Sequence, residues 1–344
     1  TAVRLYLNST ESTETTIRYN ESVIIELFYN NTELNEGIID ANVKLNDSTT
    51  MQGNGSGYYR YIFNATTLGD FHYYINASKY GYENRSISFV IHVIERPTNI
   101  TIYINKTITY HYTIYYNESL VIVAYYNDTI RNTGIFQASV NITLNPTWMM
   151  TEIGNGNYTW TFNATEIGTF NFVINASKYG YQYNKTTLQI TVLKRTTNLT
   201  LYLNGTKTRS YTMRYNETLN ITVYYEDLNY GVGIENATVN MTESSTYDLK
   251  EISSGYYYLI FNATTIHNYT FILRADKYGY ENRTMNFNIT VIERPTELII
   301  YVNKSLPTGQ PIYYNQTLIF TAYYNAFSFC SSEPGVAGSR YPPW

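Results

Sequence analysis

The sequence predicts an all-β chain of tandem β-sandwich repeats, each about 99 residues long, arranged as a beaded rod. Three observations predict this fold. Blocks of sequence recur at a fixed offset of 99 positions, apolar and polar residues alternate within each block, and no stretch has the 3.6-residue period of a helix. Alternation puts successive side chains on opposite faces, as in a strand with one buried face.

The repeat is clearest in the tetrapeptide Lys-Tyr-Gly-Tyr, which occupies positions 79–82, 178–181 and 277–280. The tetrapeptide Phe-Asn-Ala-Thr recurs with the same offset, and an arginine stands at each junction, at Arg96, Arg195 and Arg294. We therefore predict sandwich repeats at residues 1–95, 96–194 and 195–293, an incomplete repeat at 294–325, and a divergent, disordered tail at 326–344.

The strands follow one another in the same order in each repeat. In the second repeat they are predicted around Ile100–Ile104, 107–115, Leu120–Tyr126, Ala138–Ile142, Trp148–Ile153, Tyr158–Phe162, Phe170–Ala176 and Leu188–Val192. Seven or eight short antiparallel strands in about 100 residues is typical of an immunoglobulin-like sandwich, with a barrel as the alternative. The junction 191–199 contains no Gly/Ser linker, which predicts a stiff connection.

One composite motif resembles a known family. Gly-Tyr-Tyr-x-x-x-Phe-Asn-Ala-Thr-Thr-(Leu or Ile), followed by an aromatic-rich strand that ends Asn-Ala-Ser-Lys-Tyr-Gly-Tyr, resembles the tandem Ig-like repeats of large archaeal cell-surface glycoproteins of the S-layer or adhesin type. Bacterial adhesin repeats are similar more loosely. The resemblance covers residues 1 to about 325 and implies extracellular display, without any catalytic residues to carry over.

Composition excludes several classes of protein. A hydrophobic content of 44% and an aromatic content of 17% are enough to form a core, so the chain is not of the disordered class. A net charge of −4 and no Lys/Arg-rich run argue against a nucleic-acid partner. The single cysteine, Cys330, leaves no intrachain disulfide. No apolar stretch is long enough to cross a bilayer, so we expect any membrane attachment through an anchor outside this segment.

Glycosylation sequons are the strongest functional signal. Asn-x-Ser/Thr with x other than proline occurs 29 times among 39 asparagines, whereas the Ser and Thr content would give about eight. Several of these asparagines alternate with inward apolar residues and so point outward. We predict N-linked glycans, with these candidates: Asn64, Asn76, Asn141, Asn163, Asn175, Asn220, Asn240, Asn262 and Asn288. The alternative is that an AT-rich coding sequence inflates Asn and Thr and the sequons stay bare.

Catalytic and metal chemistry is not indicated. The four histidines, His72, His92, His111 and His267, recur in no other repeat, and no phosphate loop, HExxH motif or nucleophile elbow is present. We therefore expect no enzyme, cofactor or catalytic residue. Junction calcium would need more oxygen ligands than Glu95 and Glu293 supply, and Lys194 replaces them at the second junction. Glu21, Glu118 and Glu217 are interpreted as turn residues.

The abundant tyrosines fall into three groups. Tyr59, Tyr158 and Tyr257 have the parity of core residues, and the tyrosines of Lys-Tyr-Gly-Tyr flank a glycine at which a ring can cover the end of a sandwich. The outward set, Tyr6, Tyr103, Tyr202 and Tyr301, forms the candidate contacts for a surface protein or glycan, because tyrosine is enriched at recognition surfaces.

The fourth repeat stops after its first strands, at Asn325, and the sequence that follows resembles nothing before it. First strands alone cannot bury their apolar face. A reading-frame or assembly error, a truncation, and completion by a strand of another molecule are the three explanations.

Together these features predict a non-catalytic, N-glycosylated extracellular stalk or cell-surface-layer region. One alternative is an adhesin module that binds a glycan or protein. Another is the stalk of a surface hydrolase whose catalytic domain lies outside this segment.

Overall fold

The computed structural model describes residues 1–46, 48–144, 146–307, 309 and 311–326, and these contain strands and turns but no helix. Two compact units divide the chain, one spanning Thr1–Leu193 and the other beginning at Lys194. The first unit holds two sandwiches, and the second holds a third sandwich and a strand pair. The all-β prediction is confirmed.

Eleven strands form each sandwich. The first sandwich contains β1 Ala2–Leu7, β2 Thr10–Glu11, β3 Glu14–Arg18, β4 Ser22–Asn31, β5 Glu36–Gly37, β6 Asn42–Leu45, β7 Thr49–Thr50, β8 Gln52–Gly53, β9 Tyr58–Asn64, β10 Gly69–Ser78 and β11 Arg85–Ile94. The second contains β12 Thr98–Ile104, β13 Thr107–Ile108, β14 His111–Tyr115, β15 Ser119–Asp128, β16 Thr133–Gly134, β17 Ser139–Thr143, β18 Thr147–Met149, β19 Thr151–Gly154, β20 Asn157–Asn163, β21 Gly168–Lys178 and β22 Tyr181–Leu193.

The third contains β23 Thr197–Leu203, β24 Thr206–Lys207, β25 Ser210–Arg214, β26 Thr218–Asp227, β27 Val232–Gly233, β28 Thr238–Thr242, β29 Thr246–Asp248, β30 Lys250–Ser253, β31 Tyr256–Asn262, β32 Asn268–Asp276 and β33 Arg283–Ile292. The final strand pair is β34 Thr296–Val302 and β35 Phe320–Ala326.

Each sandwich has two separate sheets with the same strand order. In the first sandwich one sheet runs β2-β1-β4-β9-β8 with β5 beside β4, and the other runs β3-β11-β10-β6-β7. All pairs are antiparallel except β3 with β11, which is parallel. The chain thus crosses from one sheet to the other between β1 and β3, as in immunoglobulin-like sandwiches. Tandem immunoglobulin-like sandwiches are therefore confirmed, and the barrel alternative is wrong.

The predicted count of seven or eight strands per repeat is too low. The expected single strand at 148–153 is two strands, β18 and β19, which belong to different sheets. Met150 lies between them with 5% of its surface exposed, and its backbone N–H donates to the carbonyl of Val140 at 2.9 Å. At Met150 the chain passes from one sheet of the sandwich to the other. The alternation of inward and outward side chains continues through this residue, although the strand that pairs with the chain changes.

The alternating residues line the cores as predicted. In the first sandwich Val23, Ile25, Leu27 and Tyr29 are all fully buried, and their counterparts in the second and third sandwiches are at most 4% exposed. Sheets closed over such a face gain roughly 25 cal/mol for each Å² of apolar surface removed from water. The cores need no disulfide to hold them.

Inward tyrosines tie each core to a loop. The hydroxyl of Tyr158 donates to the carbonyl of Ile135 at 2.9 Å and accepts from the N–H of Ala138 at 2.9 Å. Tyr59 and Tyr257 make the same two bonds in their own sandwiches. The buried hydroxyl thus satisfies two backbone groups of the loop that precedes β17, so the predicted core role of these tyrosines is confirmed.

The strand pair β34–β35 leaves its apolar residues in solvent. Leu298 is 60% exposed and Tyr324 is 71% exposed, whereas Tyr225, which holds the same position in the third sandwich, is fully buried. Tyr225 is covered by the opposing sheet of its sandwich, whereas the described residues of the strand pair include no such sheet to cover Tyr324. The predicted disordered tail, 326–344, lies outside the described residues apart from Ala326, which ends β35.

Candidate functional site

The functional feature that the repeats build most clearly is the junction between the first two sandwiches. It begins with the turn between β3 and β4, in which Asn20 takes a left-handed conformation with φ of 59°. Backbone bonds join Asn20 N–H to the Ala65 carbonyl at 2.8 Å and Ala65 N–H to the Glu21 carbonyl at 2.9 Å. The carboxylate of Glu21 accepts from the N–H of Arg18 at 2.9 Å. Glu21 is therefore a turn residue, as predicted.

Arg96 of the second sandwich reaches into this turn. Its guanidinium contacts the carboxylate of Glu21 at 3.0 Å, donates to the Tyr19 carbonyl at 3.2 Å, and forms an ion pair with Asp128 of its own sandwich. The Arg96 side chain is only 1% exposed. A charge this deeply buried needs its partners, because an unpaired one would be very costly.

Electrostatics at the junction favours the charged forms. Burial by itself would raise the pKa of Asp128, but hydrogen bonds from Arg96 and from the N–H groups of Arg131 and Ile130 hold it below its ordinary value of 3.8. Burial by itself would also raise the pKa of Glu21. Its hydrogen bonds to Arg18 and Arg96 nevertheless lower this pKa below the ordinary value. Both carboxylates therefore remain ionised at neutral pH.

The Lys-Tyr-Gly-Tyr hairpin of the second sandwich packs on the same turn. The rings of Tyr179 and Tyr181 meet the ring of Tyr19 edge-on, with centroids 5.5 and 6.1 Å away. Gly180 lies against Tyr19 so closely that a Cβ would fall 2.2 Å from the ring, and its φ of 83° also favours glycine. Its carbonyl accepts from the Arg96 N–H at 3.0 Å.

Two further bonds complete the junction. The Tyr179 hydroxyl accepts from the N–H of Leu68 at 3.1 Å, and Arg131 donates to the Asn20 carbonyl at 2.8 Å. The tyrosines were expected to cover the end of a sandwich, and in the first unit they cover the neighbouring one. Tyr80, the counterpart of Tyr179 in the first sandwich, is fully exposed.

Equivalent residues recur in the second unit. Arg195 pairs with Asp227 at 2.8 Å with both side chains buried, and its guanidinium lies 4.3 Å from the centre of the Tyr230 ring. Arg294 donates to the carbonyl of Tyr215 at 2.6 Å, as Arg96 does to that of Tyr19. In the sequence, these arginines are recognisable only as markers of the repeat. Their recurrence at one position, in a chain with few charges, was the signal for a buried role.

Each lysine of Lys-Tyr-Gly-Tyr also has a role that the sequence did not indicate. The ammonium of Lys178 donates to the carbonyl of Phe136 at 2.6 Å and lies 4.7 Å from the centre of its ring. Lys79 and Lys277 make the same bond to the carbonyls of Ile39 and Glu235. The lysine thus fastens the hairpin to the loop that the core tyrosine also binds.

The predicted glycosylation sites all lie on outer faces or strand ends, and their modification stays a prediction. The exposed candidates are Asn64, Asn163, Asn220, Asn262 and Asn288, and the half-buried ones are Asn76, Asn141, Asn175 and Asn240. Among the latter, the amide of Asn175 donates to the side-chain oxygen of Asn141 at 3.1 Å, across neighbouring strands. The two sites are adjacent, so glycans on both would crowd each other.

The candidate contact tyrosines are only partly available. Tyr6, Tyr103, Tyr202 and Tyr301 are half-buried on the outer face of the sheet that holds the first strand of each repeat. Tyr6 lies beside Tyr58, with ring centroids 6.4 Å apart. Binding of a protein or glycan to these rings stays a prediction.

The histidines do not assemble into a site. His92 lies 2.7 Å from the carboxylate of Asp70, and His267 lies 3.6 Å from that of Glu243, while His72 and His111 are exposed. Within the described ranges, no three His, Cys, Asp or Glu side chains are grouped so as to hold a metal ion. Over the same residues, no helix is long and apolar enough to cross a membrane.

No protein-family model and no curated protein matches the sequence. Solved structures similar to the chain include invasin, a bacterial integrin-binding protein, at 14% identity and a TM-score of 0.35, covering 94% of this chain and 67% of that one. The D1–D4 ectodomain fragment of ICAM-5 is 9% identical, with a TM-score of 0.29 and coverage of 95% and 99%.

The fibronectin(III)-like modules of Clostridium thermocellum CbhA are 12% identical, with a TM-score of 0.23, over 56% of this chain and 94% of theirs. These are tandem immunoglobulin-like or fibronectin-like modules. The immunoglobulin-like assignment of this chain rests on its own strand order and register.

Proposed function

We propose that this chain is a non-catalytic, N-glycosylated extracellular stalk, or part of a cell-surface layer, that holds another element away from the cell. The observation that carries the proposal is the junction between the first two sandwiches. A spacer must resist bending at its joints, and separate domains move freely unless their interface holds them. Here Arg96 is buried between Glu21 and Asp128, and only residues 95–97 lie between the last strand of the first sandwich and the first strand of the second.

The sequons support an extracellular location for the stalk. The nine candidate asparagines lie on outer faces or strand ends, where an attached glycan would not displace the core. Glycans along the outer faces would also hinder pairing of exposed strand edges between molecules, which is a hazard for β-rich chains. The archaeal cell-surface resemblance of the repeat motif agrees with this proposal.

A distance measurement between spin labels tests the stalk. Labels at Glu33→Cys and Glu166→Cys, both exposed positions, report the first two sandwiches in a Cys330→Ser background. We expect a narrow distance distribution in the parent chain. Gly180→Ala should broaden it, because the added Cβ collides with Tyr19.

Gly81→Ala is the matched control. Gly81 has φ of 84° and the same hairpin position in the first sandwich, but a Cβ there meets nothing within 4 Å. The substitution therefore carries the backbone cost of Gly180→Ala without the collision, and the distribution should stay narrow. A broad distribution in the parent chain would contradict the stalk.

An adhesin module is the second candidate function. The half-buried outward rings of Tyr103 and Tyr202 favour it, because each occupies the equivalent position within its own sandwich. An adhesin should show saturable binding to one component of a glycan array, and Tyr103→Ser with Tyr202→Ser should abolish that binding. Binding that survives both changes would remove this surface from consideration.

A further inference from the structure

Two of the three sandwiches carry a stacked aromatic pair on the outer face. In the first, Phe28 of β4 and Tyr58 of β9 are cross-strand neighbours, with ring centroids 4.5 Å apart and planes at 29°. In the third, Tyr224 of β26 and Tyr256 of β31 repeat the arrangement at 4.4 Å and 28°. Such pairs stabilise a sheet beyond the area they bury.

The second sandwich lacks the second ring of this pair. The same register places Tyr125 of β15 opposite Asn157 of β20. Throughout the described part of the chain, no aromatic ring is stacked on Tyr125. Asn157 begins the sequence Asn-Tyr-Thr, which is a sequon, whereas the residues that begin at Tyr58 and Tyr256 form none. A glycosylation signal thus stands at the position from which the ring is missing.

The surface beside Asn157 is a shallow apolar hollow. This open surface depression, of about 460 Å³, is lined by Tyr103, Asn105, Lys106, Val121, Val123 and Asn157. Val121 is 54% exposed although it is apolar and lies within β15. Apolar side chains left open on a sheet gain stability when a C–H-rich surface covers them.

We infer that Asn157 carries an N-linked glycan whose first sugar lies over Tyr125 and the Val121–Val123 surface, in the place of the missing ring. The apolar C–H face of a sugar then packs on the tyrosine as the second ring does in the other sandwiches. The glycan is part of the second sandwich and contributes to its stability. This inference rests on the proposed function only in requiring that the chain is glycosylated at all.

The attachment is an ordinary transfer from a lipid-phosphate-linked oligosaccharide. The bond between the sugar C1 and the phosphate oxygen breaks, Nδ2 of Asn157 bonds to C1, one amide proton is lost, and the lipid phosphate leaves. Nδ2 donates to the Gly154 carbonyl at 3.2 Å, and the amide hydrogen that remains after transfer can keep this bond. The local turn therefore need not change.

The test compares the full chain made in a host that glycosylates Asn-x-Ser/Thr with the same chain made in a host that does not. Site-specific mass spectrometry gives occupancy, and hydrogen exchange in β15 and β20 reports the second sandwich. In the glycosylating host, Asn157→Gln should lower the unfolding temperature of this sandwich by about 2–4 °C. In the other host, the same change should have little effect.

Three variants separate packing from mere occupancy. Asn262→Gln removes an exposed sequon of the third sandwich and should leave the second unchanged. Tyr125→Ser should abolish the difference that Asn157→Gln makes. Tyr58→Asn with Arg60→Thr rebuilds Asn-Tyr-Thr opposite Phe28 in the first sandwich. Tyr58→Asn alone should reduce hydrogen-exchange protection in β4 and β9. The double variant should regain that protection only when it is made in the glycosylating host.

The outcomes are distinguishable. If no sequon is occupied in native protein, the glycosylated stalk is wrong. If other sequons are occupied and Asn157 is bare, only the present inference is overturned. If Asn157 is occupied but hydrogen exchange is the same with and without its glycan, the glycan is a surface attachment and its packing role is wrong.

Discussion

Arg96 and Asp128 form an ion pair in which the two side chains are 1% and 2% exposed, although 32 residues separate them in the chain. The pair lies at the edge of the second sandwich that faces the first, and Arg96 extends from it to Glu21. Buried ion pairs add little net stability, because desolvation offsets their attraction. This one fixes geometry, since Arg96 satisfies both carboxylates only when the two sandwiches are docked.

Replacing Arg96 alone should destabilise the second sandwich more than replacing Arg96 and Asp128 together. Arg96→Met leaves the Asp128 carboxylate buried without its partner, and we expect a loss of about 3–5 kcal/mol in the second sandwich. Arg96→Met with Asp128→Leu should recover a large part of that loss. Urea unfolding followed by hydrogen exchange in β12 and β15 measures both. Equal losses in the single and double variants would contradict the buried-pair account.

Acid should loosen the junction. The pKa of Asp128 is lower in the folded chain than its ordinary value of 3.8, so its contribution to stability is present above that value and is lost as pH falls below it. The pKa of Glu21 is likewise below its ordinary value of 4.5, so its contribution to stability is also lost at low pH. We expect the unfolding free energy to stay level from about pH 7 to pH 5 and to fall below about pH 4.

The control for the acid effect is Asp128→Asn, which cannot titrate. Its stability should start lower and should fall less steeply between about pH 4 and pH 2. A parallel decline in both proteins would assign the acid sensitivity to other carboxylates.

Alkali should act through Tyr126. Burial raises the pKa of this fully buried tyrosine to about 12, and its hydroxyl donates to the Gln182 carbonyl at 3.0 Å. Because the folded pKa exceeds the ordinary value of 10, the stabilisation is complete below pH 10 and is lost as pH rises toward 12. Loss of the β-sheet signal in circular dichroism, followed from pH 10 to pH 12, measures this unfolding. In Tyr126→Phe, the second sandwich should unfold at higher pH than it does in the parent chain, and the third sandwich, where burial raises the pKa of Tyr225 to about 12, should be unchanged.

The core hydroxyls should be worth more than their exposed counterparts. Tyr158→Phe leaves the Ile135 carbonyl and the Ala138 N–H without their partner, at a cost of about 1–3 kcal/mol. Tyr179→Phe removes only one hydrogen bond, to the N–H of Leu68 at the surface, and should lower the free energy of unfolding by less than about 1 kcal/mol. Urea denaturation of the two variants compares them directly. The reverse order would show that the loop finds other partners.

Burial should decide which sequons are bare. Asn30 and Asn127 both begin sequons, yet each is only 8% exposed, so a glycan on either would have to displace neighbouring side chains. We expect peptide mapping of native protein to find these two unmodified and Asn64 and Asn262, which are exposed, occupied. Full occupancy at Asn127 would mean that the second sandwich differs from the fold described here.

Much of the fold could be predicted from the sequence because the signals are local. Alternation at Val23, Ile25 and Leu27 assigns an inward face without any knowledge of the partner strand. Because the sequence repeats with an offset of 99 residues, each apolar position can be compared with its counterparts in the other repeats. A position that is apolar in every repeat is stronger evidence for a buried site than a single apolar residue. The inward parity of Tyr158 could be predicted in the same way, but its two hydrogen-bond partners could not.

The predictions failed where neighbouring residues belong to different sheets. Met150 continues the alternation of its segment, so nothing local marks it as the point where the chain changes sheet. The pairing of β3 with β11 joins residues that are 76 positions apart, as 14 and 90 are, and it is set only when both sheets close on one core.

The sequence by itself therefore determined the strands, the core faces and the repeat, because each depends on periodicity along the chain. Tertiary structure alone decided how Arg96 joins Glu21 to Asp128, that Gly180 lies against Tyr19, and that Asn157 stands opposite Tyr125. The physical reason is distance along the chain. These contacts arise from strand register and from the docking of one sandwich on the next, and neither leaves a period in the sequence.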